Sequence, residues 1–504
     1  MPILLLTALG AVLRFVAIGH QGFWYDEAYT VYLVGHSPGR MLGLLPHVES
    51  TPPLYYCVAW VWSRIFGFGP AGLKSLSAVC GTLMIPVAYA AGCKMLANRR
   101  SALIVAALTA CNPFLIWYSQ EARAYSMLAL LCACSVLAFA YARERPRTLP
   151  LTLWAVASAL ALLTHYYAVI VLIPEAVWLL YEHRHSRPVQ LGIAGVALVG
   201  FALLPLAITQ DGTHNNRWIA HSSYWLRLKQ ILPLFLIGPE THARILLKFL
   251  AFAMVAVALA LLIWRSRRRE RQAAWLPGGI ALVGFLLGAG PGHNTLLGRN
   301  LLPLWLPTAL FLGSGLGAAR ARLLGVVATV VLCAIGITAV ISVDTTTAFQ
   351  RPRWQLVADA IGQWPTAAAT AKDARIVVVQ DNPGGFPLGL YLKDLRYIET
   401  DTIRNVVEID VIAVTPHRAL GGFCWWGSEC NLISSRLDRR YSRLRGFHPV
   451  RRIRAGDFQI LELRSAKPRS VARTELPMPR RHEEKHFVQS GHSPLHDAQL
   501  VEQS

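Results

Sequence analysis

Residues 323–341 read LLGVVATVVLCAIGITAVI, without one charged side chain. As a helix, at about 1.5 Å per residue, this run covers roughly 28 Å, close to the ~30 Å hydrocarbon core of a bilayer. No water reaches that depth, so backbone polar groups must bond within the segment, which requires a helix. Outward from this stretch the character repeats. Residues 246–264 (LLKFLAFAMVAVALALLIW) carry one charge, and 101–116 and 152–163 carry none. Over 504 residues, 54% are hydrophobic and only 15% charged, against roughly 25% in soluble domains. Mean hydropathy is +0.40. The chain reads as an α-helical, polytopic membrane protein.

The net charge of +21 would suit a nucleic-acid partner in a soluble protein. Here Lys94/Arg99/Arg100, Arg143/Arg145/Arg147, His183/Arg184/Arg187, Arg265 to Arg271 and Arg320/Arg322 sit between apolar runs. That is the cytoplasmic-loop pattern, so topology accounts for the charge and no nucleic acid is expected. Placing these clusters inside gives about eleven spans: 3–20, 75–93, 101–118, 124–142, 149–164, 167–182, 190–209, 245–264, 274–290, 300–318 and 323–342. The first outer loop is 21–73. Leu54–Phe66 and Ile231–Ile237 are too short to span and read as interfacial or re-entrant helices, the first with Tyr55, Tyr56, Trp60 and Trp62 at headgroup level. Met1 begins the first apolar run with no basic segment before it, so a retained helix is expected rather than a cleaved signal.

The membrane part extends over 1–343. Residues 344–465 read as a small α/β domain outside the membrane, with a helix near 353–364 and strands at 375–379, 411–414 and 458–463. Residues 466–504 are polar and aperiodic and read as disordered. Seven cysteines fall in or beside apolar runs; Cys424 and Cys430 are the pair that an oxidising compartment would allow to bridge.

The residues with chemistry gather at helix junctions predicted on the outer side. Gly22–Tyr29 (GFWYDEAY) sets Asp26 and Glu27 among aromatic rings. A partly desolvated carboxylate there suits a general base, and Asp26 suits equally a helix cap. His47–Tyr56 contains Glu49 before Pro52–Pro53; a solvated loop carboxylate is the commoner meaning. Asn112–Tyr125 (NPFLIWYSQEARAY) places Glu121 and Arg123 at the next junction, where Arg suits phosphate and a surface ion pair is the plain alternative. Thr164–Tyr167 adds His165 and Tyr166, and Gly292–Asn300 adds Arg299, a phosphate contact or an interfacial anchor. The interior of the membrane part is nearly uncharged apart from Arg14 and Glu175, which argues against an ion-coupled pump.

WYDEAY, TPPLYY and NPFLIWYSQEARAY, in this order and spacing, resemble the GT-C glycosyltransferases over residues 1–210. The bacterial branch related to protein O-mannosyltransferases, lipid A aminoarabinose transferases and lipopolysaccharide galacturonic acid transferases (family 39-like) is the nearest pattern. The resemblance implies transfer of a sugar from a polyprenyl-phosphate donor to a hydroxyl of an extracytoplasmic acceptor: lipopolysaccharide, another glycan, a lipid or a protein. It implies inversion, with Asp26 as base and Glu27 assisting. Departure of the phosphate needs a cation, for which Arg123, then Arg299, then His165 are the candidates. Tyr25, Glu49, Tyr55, Glu121 and Tyr166 complete the substrate-binding set. The family is mixed on metals, which leaves a divalent ion open as cofactor. A bacterial inner membrane, with the site on its periplasmic face, is the implied location. A lipid or sugar-lipid transporter would explain the helices but calls for paired broken halves, absent here. A glycan-binding sensor would use the basic stretch Arg436 to Arg454 beside Trp425 and Trp426.

Overall fold

A computed structural model describes residues 1–213, 219, 223–290, 296–365, 372–379, 385–398, 401–414, 444–456, 458–476 and 485–490. Cys424, Cys430, Trp425, Trp426 and Gly292–Asn294 lie outside the described residues, as does much of the basic stretch. The chain divides into two units: 1–20 with 30–345, and 21–29 with 346–504.

The first unit is helical throughout. Its helices are α1 (Pro2–Phe15), α2 (Tyr25–Gly35, whose first turn counts with the other unit), α3 (Pro38–Val48), α4 (Leu54–Phe66), α5 (Pro70–Met95) and α6 (Arg99–Cys111). Then follow α7 (Pro113–Ser119), α8 (Tyr125–Glu144), α9 (Thr148–Thr164), α10 (Val169–His183), α11 (Arg187–Ala202) and α12 (Leu204–Gly212). Last come α13 (Tyr224–Ile237), α14 (Arg244–Ala260), α15 (Arg268–Gly288), α16 (Trp305–Leu316) and α17 (Arg322–Thr345). Helices stand where hydropathy placed them. Among the described residues five are long and apolar enough to cross a bilayer, or six if α6 and α7 are one bent span. The segment at 231–237 is the end of the longer α13, and the segments at 167 and 300 begin as 3₁₀ turns at Tyr166–Ala168 and Gly298–Leu304.

The bend of 52° between α6 and α7 has an identifiable cause. Pro113 has no N–H, so the carbonyl of Thr109 loses its helical donor. Buried Arg14 replaces it: one terminal nitrogen donates to Thr109 O at 3.1 Å, the other to Ala110 O at 3.0 Å. Gly81 on α5 makes room for this, since a Cβ there would lie 2.1 Å from Ser119 Oγ and 2.9 Å from Arg14 Nε. Buried Glu175 likewise ties three helices, accepting from Ser135 Oγ of α8 at 3.0 Å and Trp154 Nε1 of α9 at 2.9 Å.

In the second unit, helix α18 (Trp354–Ile361) and the short α19 (Gly385–Gly389) accompany six strands. These are β1 (Ala374–Val379), β2 (Arg396–Tyr397), β3 (Thr402–Val414), β4 (His448–Ala455), β5 (Phe458–Ala472) and β6 (Lys485–Ser490), in the order β2-β6-β1-β3-β5-β4. Among the described residues only the β1–β3 pairing is parallel. The polar stretch from 466 is therefore not structureless: residues 466–472 continue β5, and β6 pairs antiparallel with β1. Its ordering comes from pairing partners far away in sequence, which composition does not reveal. Buried Arg375 on β1 holds this arrangement together. It donates to Gln489 Oε1 of β6 at 3.0 Å and to Ile361 O and Gly362 O at 2.8 Å, and lies 3.5 Å from both Glu408 and Asp410 of β3. Removing it takes the ion-pair partner from fully buried Asp410, while Glu408 keeps Arg464 at 3.2 Å, so Arg375→Ala should destabilise this unit by about 3 kcal/mol. Chemical denaturation of the full chain, read by limited proteolysis of the C-terminal unit, checks this.

Candidate active site

In the first unit the sequence motifs converge on a buried ion pair. Glu49 follows the last residue of α3 in extended conformation, and Pro52–Pro53 lead stiffly into α4. Arg123 sits in the tight turn between α7 and α8. Three hydrogen bonds fix that turn: Arg123 N–H to Glu121 O at 2.8 Å, Ser77 Oγ to Arg123 O at 3.2 Å, and Thr30 Oγ1 to Ala122 O at 2.9 Å. Across this gap the guanidinium of Arg123 grips Glu49 with both terminal nitrogens, Nη2 donating to Oε2 at 2.8 Å and Nη1 to Oε1. Glu49 is 4% exposed and Arg123 8%, so this is a buried, bidentate pair rather than a surface one. The wall beside it is aromatic: Tyr56 O–H meets Thr51 Oγ1 at 3.2 Å, and Tyr55 packs edge-on against Tyr56.

His165 closes the end of α9 and is buried. Its ring lies 5.6 Å from that of Tyr125 and 5.8 Å from that of Tyr167. Burial first, then the charges of Arg123 and Arg299, push its pKa down to about 3. The imidazole is therefore neutral. The Tyr167 N–H donates to Nδ1 at 3.2 Å, which places the ring proton on Nε2. His165 can offer a hydrogen bond but not a positive charge. Arg299, half-buried at the start of the 3₁₀ turn, lies over the Tyr125 ring at 5.5 Å.

Three further residues belong here. Tyr166 O–H donates to Gln210 Oε1 at 2.8 Å, and buried Gln210 donates to Thr51 O at 3.0 Å, linking the end of α12 to the Pro-Pro segment. Gln210 lies at the tail of an apolar run, and only its polarity there marked it. Buried Arg227 on α13 donates to Leu296 O at 3.1 Å and lies near Tyr167. Arg227 and Lys229 ahead of the short apolar segment were the signal. Tyr125 sat inside a quoted motif and proves to be the ring shared by His165 and Arg299. Glu121 is fully buried beside Arg123.

Asp26, Glu27 and Tyr25 belong to the second unit, in the first turn of α2. There Glu27 is buried and its Oε2 accepts from Trp24 N–H at 3.2 Å, so the capping bond at this helix start goes to Glu27. Asp26 is the second residue of the helix, partly exposed. The Tyr25 and Tyr29 hydroxyls lie 3.0 Å apart. The segment is held by its own unit: Phe23 N–H donates to the Tyr391 hydroxyl at 2.9 Å, Arg351 N–H to Gln21 Oε1 at 3.1 Å, and the Arg351 guanidinium lies 5.8 Å from the Trp24 ring centre. Among the described residues no group of three or more His, Cys, Asp or Glu side chains is placed to hold a metal ion.

Residues 50–209 match the family model of dolichyl-phosphate-mannose-protein mannosyltransferases. The fold is similar to that of ArnT from Cupriavidus metallidurans, both bound to undecaprenyl phosphate and in the apo state. Each superposes with a TM-score of 0.56 at 13% identity over 91% of this chain and 97% of that one. The Archaeoglobus fulgidus oligosaccharyltransferase in its apo form gives a TM-score of 0.44 at 11% identity over 77% of this chain and 63% of that one. No curated protein sequence matches the chain.

The neutral state of His165 has a consequence for stability. Unfolded, it titrates near 6.5; folded, near 3. Below pH 6.5 the unfolded chain binds a proton that the folded one refuses, so stability falls as pH drops from about 6.5 towards 3. Thermal unfolding of wild type and His165→Asn across that window should show a steeper acid loss in wild type.

Proposed function

We propose that the chain is a GT-C-type membrane glycosyltransferase that transfers a sugar from a polyprenyl-phosphate donor to a hydroxyl acceptor, a reading supported by the family match over residues 50–209 and by the ArnT-like fold. The observation that carries this is a group of two cations and one neutral donor in a largely aromatic setting: Arg299 over Tyr125, Arg227 near Tyr167, and the Nε2–H of neutral His165. A phosphate leaving group gains negative charge as its bond to the sugar breaks, and fixed donors in a partly dry site stabilise that charge most strongly. Arg123 is committed through both terminal nitrogens to Glu49. Its part is to orient the site and to add positive potential, while Arg299 and Arg227 make the direct phosphate contacts.

The base is assigned to Asp26 from the WYDEAY motif. The acceptor hydroxyl gives its proton to the Asp26 carboxylate, and the oxygen attacks the anomeric carbon. The bond from that carbon to the phosphate oxygen breaks, its electron pair leaving with polyprenyl phosphate. A single in-line displacement inverts the anomeric centre. Glu27, engaged at the helix start, sets the backbone on which Asp26 stands. The acceptor is an extracytoplasmic glycan, lipid or protein, met at the periplasmic face of a bacterial inner membrane.

The reading is tested in proteoliposomes with a panel of labelled polyprenyl-phosphate sugars, at equal amounts of folded protein. One sugar should be transferred by wild type. Asp26→Asn should lose about 10²–10⁴-fold in turnover with donor binding kept, as expected for loss of a general base. Arg299→Ala should lower kcat by about 10²–10³, the cost of one charge-stabilising donor. Equal turnover by Asp26→Asn would remove the base assignment. Absence of both transfer and donor binding would favour a transporter.

A further inference from the structure

In the first unit, residues 261–272 and 316–326 hold seven arginines and a single acid, Glu270. Topology calls for basic residues in such connections but not for the way these are held. Leu261, in the π turn Leu261–Arg265 that extends α14, packs with Ala318 and Ala321. That contact sets the chain leaving α14 against the turn that leads into α17. Glu270, buried in the first turn of α15, ties the two connections together: its Oε2 accepts from Arg267 N–H at 2.7 Å and its Oε1 from Ala319 N–H at 3.0 Å. From the start of α6, Arg100 donates to Ala318 O at 2.9 Å and the Asn98 amide to Gly317 O at 3.3 Å. The one acid is thus committed inward to backbone N–H groups, while Arg265, Arg267, Arg268, Arg320 and Arg322 around it stay exposed. Arg322 also lies within electrostatic reach of Arg100. Like charges fixed this close repel, a cost that a bound anion offsets.

What adjoins the arginines decides the class of anion. Arg265 follows exposed Ile263 and Trp264, and Arg322 precedes exposed Leu323 and Leu324. Each arginine therefore caps an apolar stripe on a helix long and apolar enough to cross a bilayer. Trp264 and Trp275, on either side of the loop, are 75% and 77% exposed, as indoles at head-group level are. A soluble polyanion would meet the arginines and leave the stripes and indoles unused. A phospholipid engages all three. Its phosphate takes the planar guanidinium forks, and its chains lie along Ile263 and Leu323. A choline or ethanolamine head group would bring its own cation against five arginines, so the fitting lipid is one with net negative charge.

We propose that the arginines gathered around Glu270 form a binding site for an anionic phospholipid, and that the bound lipid holds the neighbouring ends of α14, α15 and α17 together. The site uses none of the residues assigned to sugar transfer, so it stands or falls independently of that reading.

The test uses the full chain in nanodiscs of phosphatidylglycerol mixed equally with phosphatidylcholine, with retained lipid read by native mass spectrometry. Wild type should retain phosphatidylglycerol about tenfold over phosphatidylcholine. Arg265→Gln, Arg320→Gln and Arg322→Gln should each lower that preference about two- to fivefold, and together bring it close to one. Arg145→Gln combined with Arg147→Gln, which removes exposed charge from another connection, should leave it unchanged. Glu270→Gln separates an organised site from diffuse charge. It makes the chain more positive yet loosens the frame, so the preference should fall, with thermal unfolding checking that the variant is folded. Should the variants misfold, competition in wild type decides: short-chain phosphatidylglycerol should displace the retained lipid, whereas short-chain phosphatidylcholine and inorganic phosphate should not. A wild type without preference would overturn the proposal. So would displacement by inorganic phosphate, an equal loss in the Arg145 and Arg147 variant, or a folded Glu270→Gln chain whose preference is unchanged or higher.

Discussion

Much of the first unit's candidate site depends on one buried, bidentate pair, Glu49 with Arg123. Taking two charges out of water is costly, and the pair recovers that cost only if both partners are held in register by something else. Each partner is so held. Pro52–Pro53 stiffen the chain after Glu49, and three hydrogen bonds clamp the turn at Arg123. That turn exists because Pro113 bends the α6–α7 helix, and the bend persists because Arg14 takes over the carbonyls that proline leaves behind. A buried arginine in one helix thus sets the position of a second arginine several turns away.

With Arg123 occupied, the division of labour among the cations follows from electrostatics. Two nearby arginines and burial together keep His165 neutral, so its ring is a directional donor rather than a third charge. Arg299 lies over the Tyr125 ring and Arg227 donates to the Leu296 carbonyl.

The membrane fold was legible because its signal is coarse. Runs such as 323–341 and 246–264 can only be helices at that depth, and basic clusters mark the connections. Leu54–Phe66 could be read to its exact ends because prolines precede it and glycine follows it. Three things were not legible. The pairing of Glu49 with Arg123 joins residues 74 apart, with no local pattern to announce it. His165 reads as a cation in isolation, and only burial beside two arginines makes it neutral. β6 lies in a stretch whose composition resembles a linker, and its order is supplied by β1 and Arg375, more than a hundred residues earlier. The segment 21–29 belongs to the same class of omission: its motif was visible, while its anchoring through Tyr391 and Arg351 was not.

The central claim is that the cations around His165 and Tyr125 receive the phosphate of a polyprenyl donor. A cryo-electron microscopy structure of the full chain in nanodiscs with polyprenyl phosphate tests it directly. The account predicts phosphate density within hydrogen-bonding distance of Arg299 and of His165 Nε2, with the Glu49–Arg123 pair intact. A phosphate bound elsewhere while these groups keep their present contacts would contradict it.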